Sequence, residues 1–342
     1  MNVTINDVAK HAGVSMKTVS RVINREPSVK QATYDKVMAS VTALNYQPNQ
    51  AARNLASTKS YIIGFVYSNP NAYYVIDMQN GMLSECRKRG YELLIHPCQP
   101  SSGEFIEEIT SLVKHSRIAG LVLTPPYSEM PSVVKALQQL DIKFVRIISG
   151  SKPSKSTQGC VLVDDKTAAF EITQHLIDLG HEKIGFLCGG KEHKSTEARL
   201  SGYEQALAEN RIRQSKQLVL DGDYSFDSGV EGAKKLLSRK NRPTAIFAAN
   251  DEIAAGALFA ARLSGVAIPE ELSIVGFEDS PFSRQTWPKL TTAHQPNNTI
   301  AETAASMLID MLQNTNDKQV QSQCIRFCPE LVVRDSSARL LN

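Results

Sequence analysis

Hydrophobic residues in the first part of the chain recur at the spacing of α-helices. Over residues 5–11, 15–23 and 31–44, apolar side chains return every three or four positions, which places them on one face of each predicted helix. Gly13 lies between the first two segments and predicts a turn with a positive φ, because glycine adopts that conformation at little steric cost. Pro48 then predicts a linker. The start of the chain is therefore predicted to be entirely helical.

From Tyr61 the pattern changes to short β-rich runs that alternate with amphipathic helices. The predicted strands are 62–67, 92–96, 118–124, 143–148, 159–163, 183–188, 217–220, 244–248 and 273–277. The predicted helices are 73–88, 103–115, 131–140, 166–179, 195–209, 226–238, 250–264 and 296–313. This alternation is typical of parallel sheets with helices on both faces, and the run is long enough for two sheets. A ligand in such an architecture lies beyond the carboxyl ends of the strands or in a cleft between two lobes.

The charge of the chain is concentrated at its start. Residues 1–60 carry eight basic and three acidic side chains, a net charge of +5, whereas the whole chain of 342 residues carries +3 and the remainder therefore −2. A basic head on a nearly neutral body is typical of a nucleic-acid-binding protein with a separate sensor domain.

No pattern in the sequence indicates an enzyme or a membrane protein. No apolar run reaches the ~20 residues that cross a bilayer, and the N-terminus lacks the apolar segment of an export signal, so we expect a cytoplasmic protein. Phosphate-binding loops, nucleophile elbows and zinc-protease motifs are absent from the sequence. Asp164 and Asp165 are adjacent at the end of a strand and point to opposite sides, which makes them a poor acid–base pair.

The six cysteines are expected to be reduced and mostly buried, because no pair has the C-x-x-C spacing. Cys324 and Cys328 are four residues apart but have no nearby histidine or second pair, so we predict no metal site and no cofactor.

The two helices around Gly13 fit a helix-turn-helix that binds double-stranded DNA. Lys17 and Arg21 lie on the outer face of the second helix, where they can donate hydrogen bonds to guanine in the major groove. Thr18, Ser20 and Asn24 suit phosphate contacts, which position the protein without specifying sequence. Taken singly, each of these residues is better explained as a solvated surface side chain, whereas the whole set of residues favours DNA contacts.

The same segments resemble the N-terminal signature of the lactose/galactose-repressor (LacI/GalR) family of bacterial transcription regulators. The matching stretches are TINDVAKHAGVS (4–15), TVSRVIN (18–24), LNYQPN (44–49) and ARNL (52–55). Further resemblance lies in RLSGY (199–203), ANDEIAAGA (249–257), IVGFED (274–279) and PKLTT (288–292). The resemblance implies a helix-turn-helix domain (1–48), a hinge (49–60) and an effector-binding domain (61–342). This last domain is expected to be α/β and to have the two-lobed, doubly wound fold of periplasmic binding proteins. Lobe 1 is expected at about 61–160 plus 291–320, and lobe 2 at about 161–290 plus 321–335.

The resemblance also assigns roles in DNA binding. Residues that match Met16, Lys17 and Arg21 read base edges in the major groove, and the residue that matches Leu55 wedges between base pairs in the minor groove, beside Ala52. Packing of Leu55 against the body is the alternative. The full set of predicted DNA contacts is Thr4, Ser15, Met16, Lys17, Thr18, Ser20, Arg21, Asn24, Tyr46, Asn49, Ala52 and Leu55.

The effector site is implied in the same way. Arg199, Asn250 and Glu278 match positions that hold the ligand, and their donors and acceptors fit a polyol. Tyr73, Tyr74 and Tyr224 match positions that flank it, Ser195 lies one helical turn before Arg199, and Trp287 lies near the cleft. Alternatives remain: Arg199 pairs with Glu197 or Glu204, Asn250 serves only as a helix cap, and Trp287 packs instead of stacking. Glu278 departs from the aspartate that most members carry.

The expected function is that of a repressor whose operator affinity is controlled by a small molecule. A sugar is the first choice of effector and a purine or nucleoside the second, while a plain sugar-binding protein is the remaining alternative. The protein is expected to be a homodimer on a near-palindromic operator. The closing strand of lobe 2 is expected near 324–332, and residues 333–342 after it are too few for a heptad zipper, so no tail-linked tetramer is expected.

Overall fold

The structure is a computed structural model that describes residues 3–23, 29–46, 60–69, 71–98, 105–150, 159–314 and 322–340. The chain divides into two compact units, residues 1–60 and residues 61–342. None of the described helices combines the length and the apolar character that a membrane span requires.

Within its described residues, the first unit contains three helices whose apolar faces meet. They are α1 (Ile5–Ala12), α2 (Met16–Ile23) and α3 (Gln31–Ala43). Their shared core consists of Val8, Ala9, Ala12, Val19, Val22 and Val37. Gly13 ends α1 with a φ of 58°, as the sequence predicted.

The second unit begins with a lobe built on a six-stranded parallel sheet. Its strands are β1 (Ile62–Tyr67), β2 (Glu92–Pro97), β3 (Gly120–Leu123), β4 (Lys143–Ser149), β5 (Cys160–Val163) and β11 (Cys324–Phe327), in the spatial order β11-β5-β4-β3-β1-β2. Four helices cover its faces: α4 (Ala72–Arg89), α5 (Phe105–His115), α6 (Pro131–Gln139) and α12 (Asn297–Gln313). We call this part the first lobe.

The second lobe is built on a four-stranded parallel sheet. Its strands are β6 (Ile184–Leu187), β7 (Val219–Leu220), β8 (Ala245–Ala248) and β9 (Ser273–Val275), in the spatial order β7-β6-β8-β9. The helices of this lobe are α7 (Asp165–Asp178), α8 (Lys194–Glu209), α9 (Phe226–Leu237), α10 (Asp251–Leu263) and α11 (Pro281–Gln285). A separate antiparallel pair joins β10 (Thr292–His294) to β12 (Glu330–Val332).

Two expectations about the lobes are corrected. The closing strand was expected in the second lobe, yet β11 pairs in parallel with β5 and forms the edge of the first sheet. The expected boundary near residue 160 also shifts by three residues, because all of β5 (Cys160–Val163) belongs to that same sheet. An apolar strand pattern shows that a segment is extended but does not show which sheet edge it covers.

The expectation of reduced cysteines is also corrected at one pair. Cys160 and Cys324 are directly opposite each other in the β5–β11 register and form a disulfide, with Cα atoms 4.6 Å apart. The other four cysteines are free thiols.

Candidate functional site

The exposed face of α2 carries the predicted base-reading side chains. Ser15 caps the helix, since its hydroxyl accepts a hydrogen bond from the Thr18 amide at 3.1 Å. Val19 and Val22 are buried against the other two helices. Met16, Lys17 and Arg21 therefore lie on the opposite side, where all three are exposed. Thr18 and Ser20 are half-buried at the edge of this face.

Two predicted DNA contacts lie at the margins of the same unit. The Thr4 hydroxyl donates to the Asp7 carboxylate at 2.7 Å and so stabilises the start of α1. The Tyr46 ring packs against the three-helix core, and burial raises the pKa of its hydroxyl. Asn24, Asn49, Ala52 and Leu55 lie outside the described residues.

The second unit contains a cavity where the carboxyl ends of strands from both lobes meet, as expected for a doubly wound architecture. It encloses about 510 Å³ of empty space, including its opening to solvent. The side chains from the first lobe and the linking segments are Asn69, Asn71, Tyr74, Pro125, Ile147, Ile148, Ser149, Val163 and Gln295; those from the second lobe are Asp165, His193, Ser195, Arg199, Tyr224, Asn250 and Glu278.

Arg199 is the central cation of this cavity and is held in place by protein groups. Its Nε donates to Asp165 Oδ1 at 2.7 Å, and its Nη1 donates to the Ala249 carbonyl at 2.5 Å. The guanidinium stacks on the Phe277 ring at 3.7 Å. Although burial alone would lower the pKa of Arg199, Asp165 and the other acidic neighbours raise it, so the guanidinium stays charged.

Glu278 is the second buried acid of the cavity and lies farther from the guanidinium. Its Oε2 accepts a hydrogen bond from Asn71 Nδ2 at 2.7 Å, while Oε1 is 3.9 Å from Arg199 Nη1. Burial raises the pKa of Glu278 to about 8, and Arg199 only partly offsets this effect. The Glu278 backbone has a φ of 99°, a conformation that non-glycine residues rarely adopt, so the surrounding contacts hold the side chain at a strained position.

Polar groups of the second lobe orient the remaining wall. The Tyr224 hydroxyl is 3.0 Å from the Ser195 hydroxyl and 2.8 Å from the Thr196 hydroxyl. Asn250 caps α10, since its Oδ1 accepts from the Ile253 amide at 2.9 Å. Among the described residues, its Nδ2 makes a long bond of 3.4 Å to the Tyr224 carbonyl, which leaves donor capacity toward the cavity.

Comparison with known protein families gives one match within each of the two units. Residues 4–49 match the bacterial regulatory proteins of the lacI family, and residues 173–337 match a periplasmic binding protein-like domain. The HTH-type transcriptional repressor PurR from Vibrio vulnificus (strain CMCP6) is 30% identical over 98% of this chain and 99% of its own.

The chain belongs to the lacI family.

Two solved structures of relatives share its architecture. The lac repressor dimer bound to operator and the anti-inducer ONPF has a TM-score of 0.76 and 27% identity, covering 99% of this chain and 100% of its own. The complex of the transcriptional regulator CelR with cellobiose has a TM-score of 0.74 and 26% identity, covering 98% and 100%. These findings confirm the predicted family, the fold class and the reading of a DNA-binding repressor with an effector-binding domain.

The structure brings six of the eight predicted effector residues of this lacI-family chain to the cavity: Tyr74, Ser195, Arg199, Tyr224, Asn250 and Glu278. It does not bring the other two there. The Tyr73 ring packs edge-on against Phe282 at 5.7 Å, and Trp287 is 71% exposed. Arg199 pairs with Asp165 and not with Glu197 or Glu204.

Sequence reasoning missed several residues of the cavity wall, chiefly Asn71, Ser149, Asp165 and Gln295. Asp165 was considered only as half of an acid–base pair with Asp164. Its partner Asp164 instead caps α7 through the Thr167 amide at 3.2 Å, which frees Asp165 to point into the cavity. Two of the missed residues could have been found from their position in the sequence. Ser149 and Asp165 each lie at or just beyond the carboxyl end of a first-lobe strand, where ligands of this architecture bind.

Proposed function

We propose that the effector of this repressor is an uncharged sugar that binds among Arg199, Asp165, Glu278, Asn250 and Asn71. The observation that carries the proposal is the charge balance of the cavity. Arg199, the one arginine among the described residues of the wall, is paired with Asp165 at 2.7 Å and has Glu278 as a further acidic neighbour. The described part of this wall therefore leaves no guanidinium or ammonium group over for a phosphate or carboxylate ligand.

The polar groups of the wall suit hydroxyl groups. Carboxylates accept hydroxyl protons, whereas the amides of Asn71 and Asn250 both donate and accept. The rings of Tyr74 and Tyr224 add apolar faces that suit the C–H side of a pyranose or furanose. The solved relative CelR carries cellobiose, a ligand of this class.

A purine base is the second candidate, because the 30% identical relative from Vibrio vulnificus bears the repressor name PurR. An uncharged purine satisfies the same charge balance. A wall made of carboxylate, amide and hydroxyl groups from both lobes favours many separate hydroxyls over one flat heterocycle, and for this reason we place the sugar first.

On the DNA side, we propose that Met16, Lys17 and Arg21 read base edges and that the hinge residue Leu55 wedges into the minor groove beside Ala52. Thr4, Ser15, Thr18, Ser20, Asn24, Tyr46 and Asn49 complete the proposed contacts. Two copies on a two-fold axis then engage a near-palindromic operator in the bacterial cytoplasm.

The proposed switch is a change in the relative position of the two lobes. An effector that contacts both lobes has a different affinity for each arrangement, and this difference is the only source of coupling to operator binding. The proposal requires no cofactor and assigns no catalytic step to the cavity.

A thermal-shift panel on the full chain tests the effector class. The panel contains neutral mono- and disaccharides, their phosphate esters, and purine bases and nucleosides. We expect a rise in Tm with a neutral sugar and none with its phosphate ester. A rise with a purine alone would replace the sugar proposal, and a rise with phosphate esters alone would refute the charge argument.

A further inference from the structure

Three side chains of the types that bind metal ions lie together in the first lobe, at the edge strand of its sheet. His96 is on β2, Cys98 directly follows that strand, and Glu108 is on α5. The imidazole nitrogen, the thiol sulfur and a carboxylate oxygen of these residues lie within 4.8 Å of one another. The group belongs neither to the DNA-binding face nor to the effector cavity wall.

The local fold explains why these three side chains meet. His96 and Cys98 are two residues apart on an extended chain, so both point to the same face of the sheet. The Cys98 amide continues the parallel ladder by donating to the Tyr67 carbonyl at 2.8 Å, which holds the sulfur in register. Glu108 faces them from α5, and its Oε1 is 2.8 Å from His96 Nε2.

The surroundings cover one side of the group and leave the other open. Cys98 is buried in an apolar cluster with Phe105, Ile109 and Tyr127. The side chains of His96 and Glu108 keep 23% and 36% of their surface exposed. Within the described residues, this exposed side is the route for a cation and the position where water can complete the coordination.

We propose that His96, Cys98 and Glu108 bind one zinc ion. Zinc takes imidazole, thiolate and carboxylate ligands in a tetrahedral arrangement. Its bond lengths require these ligand atoms to lie about 3.4–3.6 Å apart, so the His96–Glu108 hydrogen bond opens by about half an ångström when the ion enters. Small side-chain rotations supply this change.

The chemistry of the three ligand atoms favours zinc over other common metal ions. One thiolate and one carboxylate neutralise the two positive charges, which suits a half-buried position. Magnesium and calcium are disfavoured because only one of the three residues offers an oxygen ligand. On binding, the thiol proton of Cys98 passes to solvent and the sulfur–zinc bond replaces the sulfur–hydrogen bond.

The test measures metal binding by the full chain after treatment with a chelator and in the presence of a non-thiol reductant. The probes are ZnCl2, quantified by elemental analysis after dialysis, and CoCl2, whose thiolate charge-transfer absorption reports a sulfur ligand. We expect one zinc per chain and a cobalt–thiolate band. The Cys98→Ser variant should lose the band, and His96→Gln and Glu108→Gln should each weaken zinc binding at least about tenfold, since even outer-shell partners contribute this much.

Two matched variants guard against adventitious binding: Cys328→Ser removes an exposed free thiol, and His115→Gln removes an exposed imidazole at the end of α5. Both should bind zinc as the wild type does. Added zinc should raise the Tm of the wild type and of Cys328→Ser but not that of Cys98→Ser. Absence of stoichiometric zinc in the wild type, or a cobalt band that survives Cys98→Ser and vanishes in Cys328→Ser, would overturn the proposal.

Discussion

Single side chains determine the electrostatics of the effector cavity. Burial favours the neutral form of each acid, and a nearby guanidinium favours the charged form. Asp165 contacts Arg199 at 2.7 Å, whereas Glu278 is 3.9 Å from it and has a pKa of about 8. The two carboxyl groups of the cavity therefore differ in their interactions. Asp165 forms the ion pair with Arg199, whereas Glu278 can accept a hydrogen bond from a ligand.

The raised pKa of Glu278 predicts a pH-dependent stability of the unliganded protein. The acid keeps its proton in the folded state up to about pH 8, whereas it ionises near its ordinary value of 4.5 in the unfolded chain. The unfolded state thus binds fewer protons between these values, and the free energy of unfolding falls as pH rises, by at most about 1.4 kcal/mol per pH unit for this group. Burial raises the pKa of Glu129 and of Asp251 to about 7, which adds in the same direction.

The measurement is urea unfolding from pH 5 to pH 8 for the wild type and Glu278→Gln. Glutamine has nearly the shape of glutamate and cannot ionise. The free energy of unfolding of Glu278→Gln should therefore fall less steeply with pH than that of the wild type. Glu204→Gln, at an exposed position of α8, is the control and should follow the wild type. Identical slopes for the wild type and Glu278→Gln would show that Glu278 titrates normally.

Arg199→Ala should abolish the Tm response to the effector and leave operator binding intact. The variant loses the donor fork and leaves Asp165 buried without its partner, which should cost about 3–5 kcal/mol of stability. The double variant Asp165→Asn/Arg199→Ala should regain part of that stability and still fail to respond. Arg213→Ala, at an exposed position, should behave as the wild type, and a normal effector response in Arg199→Ala would place the site elsewhere.

Close helix contacts set the position of the arginine. Gly202 is buried on α8 one turn after Arg199, where a Cβ atom would overlap the Lys166 carbonyl of α7. The same helix pair brings Asp165, the first residue of α7, to Arg199. Packing of α7 against α8 and the ion pair are thus parts of one arrangement.

Gly202→Ala should separate these helices and destabilise the second unit by about 1–3 kcal/mol, the usual cost of overpacking. It should also weaken effector binding, since Asp165 and Arg199 move apart. Chemical unfolding and effector titration measure both effects. The half-buried neighbour Ser201→Ala should change neither by a comparable amount, and an unchanged midpoint in Gly202→Ala would contradict the close contact.

The exposed face of α2 makes a separate prediction about sequence readout. Lys17→Ala or Arg21→Ala should relax base preference at defined operator positions and cost about 1–3 kcal/mol on the best site. Lys10→Ala, an exposed lysine of α1, should weaken binding to all sequences about equally. Binding to a randomised operator library distinguishes the outcomes. An unchanged preference in both α2 variants would mean that these side chains contact only phosphates.

The secondary structure was largely predictable because each element follows its own local hydrophobic period. The strand 62–67 was predicted without error, and most other described elements begin and end within two residues of expectation. The place of β11 and the disulfide were not predictable, since they depend on residues 164 positions apart that meet only at a sheet edge.

The residues of the cavity wall were likewise predictable only in part. Arg199, Asn250 and Glu278 were named through the family resemblance, and the structure places all three in the wall. Asn71 was not predicted, because its hydrogen bond to Glu278 joins residues 207 positions apart. A local sequence pattern cannot predict this hydrogen bond, because it forms only where the two lobes come into contact.

At the scale of the whole molecule, the chain combines two functions that its two units carry separately. Residues 4–49 match the DNA-binding part of the lacI family, and the cavity lies within residues 61–342. Regulation requires that occupancy of the cavity changes operator affinity. Coupling free energies of this kind are typically about 1–3 kcal/mol, or roughly 5–150-fold in affinity.

The most direct test of this account is the affinity of the full chain for fragments of its own genome, with and without the sugar identified by thermal shift, at moderate salt. The account predicts strong retention of a few near-palindromic fragments over random duplex, a change of roughly 5–150-fold in their affinity when the sugar is added, and loss of that change in Arg199→Ala alone. Equal retention of genomic and random duplex, or operator affinity that the sugar leaves unaltered, would contradict it.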